Sequence, residues 1–133
     1  MKLAALGASA IALTLALTPP AKALDNVTRD YVALSTAAIW VTVACPGYEM
    51  DDLRKAADLN GVDFSTYAPA IYAGLKAQLG QEYDRNLLIP EVTREVRQAL
   101  AMISTDVSRN KTKACRDWST ATTSSQLTRR TAH

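Results

Sequence analysis

Residues 37–52 read AAIWVTVACPGYEMDD, and whether the first nine of them form a helix or a strand decides the fold. Ile39-Trp40-Val41-Thr42-Val43 has the β-branched and aromatic composition of a strand. Yet from Ala37 to Cys45 only Thr42 is polar, and a helix that is apolar almost all round sits in the middle of a bundle. Two features favour the helix: the Ala-rich lead-in Tyr31–Ala38, and the lack of any other strand-like run in the chain. The expectation is therefore a buried first helix from about Thr28 to Cys45. Asp25, Asn26 or Thr28 would cap its start, and Pro46-Gly47 would stop it.

Toward the C-terminus the pattern stays helical. Asp51 or Asp52 opens a short helix, LRKAADL, with its acids at the positive end of the dipole. Asn60-Gly61 supplies a left-handed stop. A third helix follows VDFST, with Pro69 placed in its first turn. Ile71, Tyr72, Leu75, Leu79 and Tyr83 fall on one side at helical spacing and are expected to face inward. Gly74 and Gly80 lower helix propensity and mark close packing. After a turn at Asn86–Ile89, Pro90 opens the clearest helix in the chain. Val92, Val96, Ala99, Leu100, Ile103 and Val107 recur at steps of three and four, and Ala114 and Trp118 continue the stripe. This helix either runs to about Trp118 or breaks near Ser108–Asn110. The fold class expected is all-α: a small bundle of about four helices spanning residues 24–118.

The last fifteen residues, STATTSSQLTRRTAH (119–133), hold eight Ser/Thr and one large apolar residue, Leu127. By composition they cannot bury enough surface to order themselves, so a disordered Ser/Thr-rich tail is expected. Arg129 and Arg130 would then be free for an acidic partner or a membrane surface, or simply solvated.

Working toward the N-terminus, Lys2, the apolar run Leu3–Leu17 and the small-x-small triplet Ala21-Lys22-Ala23 have the order of a secretory signal peptide, with cleavage expected after Ala23. The alternative is an uncleaved anchor, but the run is shorter than the roughly 20 residues that cross a bilayer. No later stretch spans a membrane. Cleavage removes Lys2 and Lys22, which brings the 15 basic residues to 13, level with the 13 acids. A neutral chain argues against nucleic acid as a partner, since phosphate binding needs a surplus of Lys and Arg. The charge is unevenly spread: seven acids and three bases lie from Asp25 to Asp63, and ten bases and six acids from Lys76 onward. Either the molecule docks by charge, or its two halves attract each other within one fold.

Cys45 and Cys115 are the only cysteines and match no CxxC, haem or zinc spacing. In an exported protein such a pair is expected to form a disulfide. Cys45 would then fasten the end of the first helix to the last one. Two reactive thiols are the alternative, and these need a pKa-lowering setting that the local sequence lacks.

Catalytic motifs are sparse. The one histidine, His133, is the final residue, so no triad or metal site can be built on an internal histidine. Ser108-Arg-Asn-Lys111 spells S-x-x-K without its companion motifs. DLNGVDFS has the flavour of a calcium loop, but counted from Asp58 the glycine falls at position four rather than six, and Pro69 stands where the bidentate Glu belongs. Capping roles account for Asp51, Asp58, Asn60 and Asp63. No glycine-rich phosphate loop is present. No metal or cofactor is expected.

What remains is a non-enzymatic, periplasmic or secreted protein-binding factor, such as an envelope chaperone, inhibitor or accessory subunit, whose partner is another envelope or secreted protein. In outline it resembles small exported helical chaperones and inhibitors. Tyr48, Met50, Phe64 and Tyr67 flank the short second helix and are the candidate partner surface, aromatic and Met residues being enriched at interfaces. One alternative is a carrier of a small apolar ligand held between helices by Leu75, Leu79, Leu100 and Ile103. A carboxylate-based enzyme is a second, marked by acids converging with raised pKa values.

Overall fold

The computed structural model describes residues 23–131. The signal-peptide reading and His133 fall outside the described residues. Five helices and one small sheet follow in the order α1 (Asn26–Ala44), β1 (Tyr48–Met50), α2 (Leu53–Asn60), α3 (Phe64–Gln78), a 3-10 turn (Arg85–Leu87), α4 (Pro90–Arg109), α5 (Lys111–Ser124) and β2 (Thr128–Arg130). The protein is a small all-α bundle, as its sequence implies, with a fifth helix and a two-stranded ribbon added.

The decisive stretch is helical. Asp25 caps α1, its carboxylate accepting the Thr28 N–H at 2.7 Å. The helix buries Thr28, Tyr31, Val32, Ser35, Thr36, Ala37, Ala38 and Val41, more than half of its circumference. These are mostly small side chains, so neighbouring helices approach closely. The hydroxyls of Thr36 and Thr42 donate to the Val32 and Ile39 carbonyls at 2.9 and 2.8 Å, which lets polar residues sit in a packed helix. α1 packs against the other four helices and both strands, which makes it the axis of the bundle. It is not enclosed all round: Val43 is 83% exposed.

Asp52 caps α2 by accepting the Lys55 N–H at 3.0 Å, and Gly61 ends it at φ 70°, the left-handed conformation in which a Cβ is strained. The Tyr31 hydroxyl donates to the Leu53 carbonyl at 2.9 Å and ties α2 to α1. α3 starts at Phe64, so Pro69 lies in its second turn rather than its first. The bond it omits would fall on the carbonyl of Ser65, a solvent-exposed residue. α4 buries Val92, Val96, Ala99 and Ile103, as the stripe requires. It breaks at Asn110, whose side chain accepts the Lys113 N–H at 3.0 Å and starts α5. Trp118 Nε1 donates to Asp106 at 3.0 Å and holds the two helices together across the break.

The disordered tail expected from residue 119 is overturned. α5 continues to Ser124, and Thr128–Arg130 pairs antiparallel with Tyr48–Met50. The ladder extends through Asp51 N–H to the Leu127 carbonyl (2.9 Å) and Thr131 N–H to the Gly47 carbonyl (3.0 Å). Leu127 is 2% exposed and belongs to the main core. The buried hydroxyls of Ser119 and Thr122 are satisfied by the carbonyls of Arg116 and Trp118, and Thr122 also meets the Thr128 hydroxyl at 2.8 Å. A polar composition therefore orders here because its hydroxyls close on the helix itself and on a strand supplied from residue 48.

Candidate functional site

The Cys45–Cys115 disulfide forms, with Cα atoms 5.6 Å apart. It joins the residue that caps the end of α1 to the second turn of α5 and closes a loop of 70 residues. In the chain-entropy picture such a closure contributes about 4 kcal/mol.

The four residues proposed as a partner surface divide. Met50, Phe64 and Tyr67 are half-buried and pack against the core cluster, and the Arg54 guanidinium lies 5.1 Å from the Phe64 ring centroid. Tyr48 stands apart, beside the disulfide, with the Arg130 guanidinium 5.5 Å from its ring centroid. Much of this aromatic surface is thus occupied by the protein's own side chains.

The apolar side assigned to α3 is turned largely outward. Only Ile71 is buried and Leu75 is half-buried, whereas Tyr72, Leu79 and Tyr83 are 43, 58 and 36% exposed. The cause lies on the other side of the helix. Ala68, Ala70, Ile71, Ala73 and Gly74 form the inward face, and a Cβ on Gly74 would meet Thr93 Oγ1 of α4 at 3.3 Å. So close an approach favours small residues where the two helices meet; Ile71 stays buried beside them, while Tyr72, Leu79 and Tyr83 face solvent. The spacing of those small residues was the signal that could have revealed it. Tyr72 and Leu79, seven residues apart, lie on one side of α3 about 10 Å from each other along its axis. Leu87, in the following 3-10 turn, is 44% exposed.

Two grooves on the described residues bear on function. One, of about 410 Å³, lies between the start of α1, the end of α2 and the α5–β2 turn, with Val27, Leu34, Leu59 and Leu127 as its apolar wall and Asp30 and Gln126 among its polar groups. The second, of about 390 Å³, runs over the disulfide. The four residues suggested for an apolar-ligand cavity line neither: Ile103 is buried, Leu75 and Leu100 pack half-buried against the core, and Leu79 is exposed.

Several of the acids serve the scaffold. Arg129 donates to Glu49 at 2.8 Å and approaches Asp51 at 3.6 Å, joining the acidic early part of the chain to the basic late part. Those carboxylates hold the Arg129 guanidinium's pKa above its ordinary value, Glu49 foremost. Asp25, Asp63 and Asp117 all lie below the usual carboxylate range, held there by the Thr28 N–H, the Thr66 hydroxyl and the Lys113 ammonium respectively. A general acid requires the opposite displacement. Among the described residues no three His, Cys, Asp or Glu side chains are grouped so as to hold a metal ion. Ser108 of the S-x-x-K spelling donates to the Thr105 carbonyl at 2.8 Å, and a helix break separates it from Lys111. No helix among the described residues is long and apolar enough to cross a membrane.

No protein-family model, curated protein or solved structure matches this chain.

Proposed function

We propose that the protein is an exported, non-enzymatic protein-binding factor that docks a partner through the outer side of α3. The observation that carries this reading is the exposure of Tyr72 on α3, Leu79 at its C-terminal cap, Tyr83 in the loop that follows and Leu87 in the 3-10 turn. A helix that turns its small residues inward and its Tyr and Leu outward leaves an apolar side without a partner of its own. Burying one such side chain contributes about 1.5–3 kcal/mol. Four of them contribute at most about 6–12 kcal/mol, from which the cost of association is subtracted. Export is supported by the disulfide, which persists in oxidising compartments. The test is affinity capture from an envelope extract with the wild type and with the double substitution Tyr72→Ser, Leu79→Ser. The reading predicts a stoichiometric protein partner that the double variant loses while keeping its melting temperature. Equal recovery by both proteins overturns it.

A second reading, a carrier of a small amphipathic ligand, is favoured by the 410 Å³ groove, lined by Val27, Leu34 and Leu59 together with Asp30 and Gln126. Native mass spectrometry of the purified protein decides it: a retained small molecule, lost on Leu34→Asp substitution, supports the carrier.

A further inference from the structure

The groove over the disulfide has a chemistry that the apolar side of α3 does not. One wall is a single side of α5, running from Lys111 through Cys115 and Ser119 to Thr123 at helical spacing. The end of α1 and the two strands form the other wall and contribute Tyr48 and Arg130. A shallower continuation shares Tyr48, Ser119 and Arg130 and carries the groove on to Ser124. Lys111, Arg116 and Arg130 line it, and neither stretch is lined by an Asp or Glu. Among the described residues Lys111 and Arg130 have no carboxylate within salt-bridge distance, and Arg116 has only its exposed neighbour Asp117, at 3.6 Å. Arg129, on the opposite face of the ribbon, is by contrast neutralised by Glu49 and Asp51. The described chain carries equal numbers of acids and bases, so this positive strip is a local arrangement and not an expression of net charge.

We propose that this groove seats an extended, acidic segment of the partner protein. The inference rests on the protein-binding reading and adds to it the chemistry of a second contact. The length of the groove suits an extended peptide. The 14 residues of α5 span about 21 Å, room for about six residues of extended chain. Arg130 is held in place by strand pairing and by the Tyr48 ring, so little side-chain freedom is lost when a carboxylate arrives.

The test is fluorescence anisotropy with a labelled eight-residue peptide alternating Glu and Ser, against the same peptide with Gln for Glu. The Glu peptide binds and the Gln peptide does not. Each of Lys111→Gln, Arg116→Gln and Arg130→Gln weakens binding about two- to fivefold, the range of exposed ion pairs, and the triple variant about tenfold or more. Raising salt from about 0.02 to 0.2 M weakens it by a similar factor. Circular dichroism of the variants shows an unchanged fold, because all three side chains are solvent-exposed. Four results overturn the proposal: no binding of the Glu peptide at millimolar concentration, equal binding by the triple variant, tighter binding of a single-stranded oligonucleotide of equal charge, or self-association of the protein that the triple variant abolishes. If the peptide fails while the Tyr72- and Leu79-dependent partner is still captured, the groove is rejected and the protein-binding reading stands. If both fail, both are rejected.

Discussion

Replacing Leu127 by Ala tests whether the last fifteen residues belong to the fold. Leu127 is the one large apolar side chain in that segment, is 2% exposed, and sits in the main core cluster with Tyr31, Val32 and Ala56. Truncating a buried Leu to Ala costs about 2–5 kcal/mol, depending on how far the site collapses. Leu127 also lines the 410 Å³ groove, so water and neighbouring side chains have a route into the space, which places the cost near the middle of that range, about 3 kcal/mol. Against a total stability of about 5–15 kcal/mol the loss is large. At about 4 °C per kcal/mol for a domain of this size, the melting temperature should fall by about 12 °C. The assay is thermal unfolding by circular dichroism, with Leu59→Ala as the control, since Leu59 borders the same groove but is 63% exposed. Hydrogen exchange at the Asp51 and Thr131 amides reports whether the ribbon opens alone, because both donate across it. A shift under 2 °C for Leu127→Ala, with both amides exchanging freely in the wild type, would refute the packing described here and restore a solvated tail.

Three further outcomes are expected. Cys45→Ser with Cys115→Ser should destabilise the protein by about 4 kcal/mol, read as a lower urea midpoint at unchanged slope; a midpoint within error of the wild type would contradict the loop-closure account. Gln126 adopts φ 62° at the end of α5, where the Leu127 N–H reaches back to the Thr122 carbonyl, a stop that favours glycine. Gln126→Gly should therefore stabilise by about 0.5–1 kcal/mol, and a fall in melting temperature would show that the glutamine side chain contributes more than the backbone strain costs. Asp25, Asp63 and Asp117 have folded pKa values below their unfolded value of 3.8, so their contribution is present above that pH and is lost as pH falls through the lowered values. Asp25→Asn should flatten the loss of stability below about pH 4 in an acid titration followed by circular dichroism, and an unchanged acid limb would remove Asp25 as a contributor.

The sequence alone determined what local chemistry controls. Asp52 and Gly61 bound α2, Pro90 opens α4, Pro46-Gly47 ends α1, and the stripe Val92–Val96–Ala99–Ile103 faces the core, each because a cap, a ring constraint or a 3.6-residue period acts within a few residues. The pairing of Cys45 with Cys115 followed from their being the only two thiols. Three things were decided only by tertiary structure. The 119–131 segment orders because it meets partners about 80 residues away: Tyr48–Met50 for its strand, Glu49 and Asp51 for Arg129, and the core for Leu127. Composition, which sums over neighbours in sequence, cannot register them. The side of α3 that faces inward was set by the distance to α4, which Gly74 and the alanines permit and Tyr72 and Leu79 do not. Hydrophobicity ranked those large residues as core, but close packing rewards small ones where two helix backbones nearly touch. The cationic strip likewise exists only in three dimensions: Lys111 and Arg116 lie on a helix and Arg130 on a strand, and folding alone leaves Arg129 paired and Arg130 free.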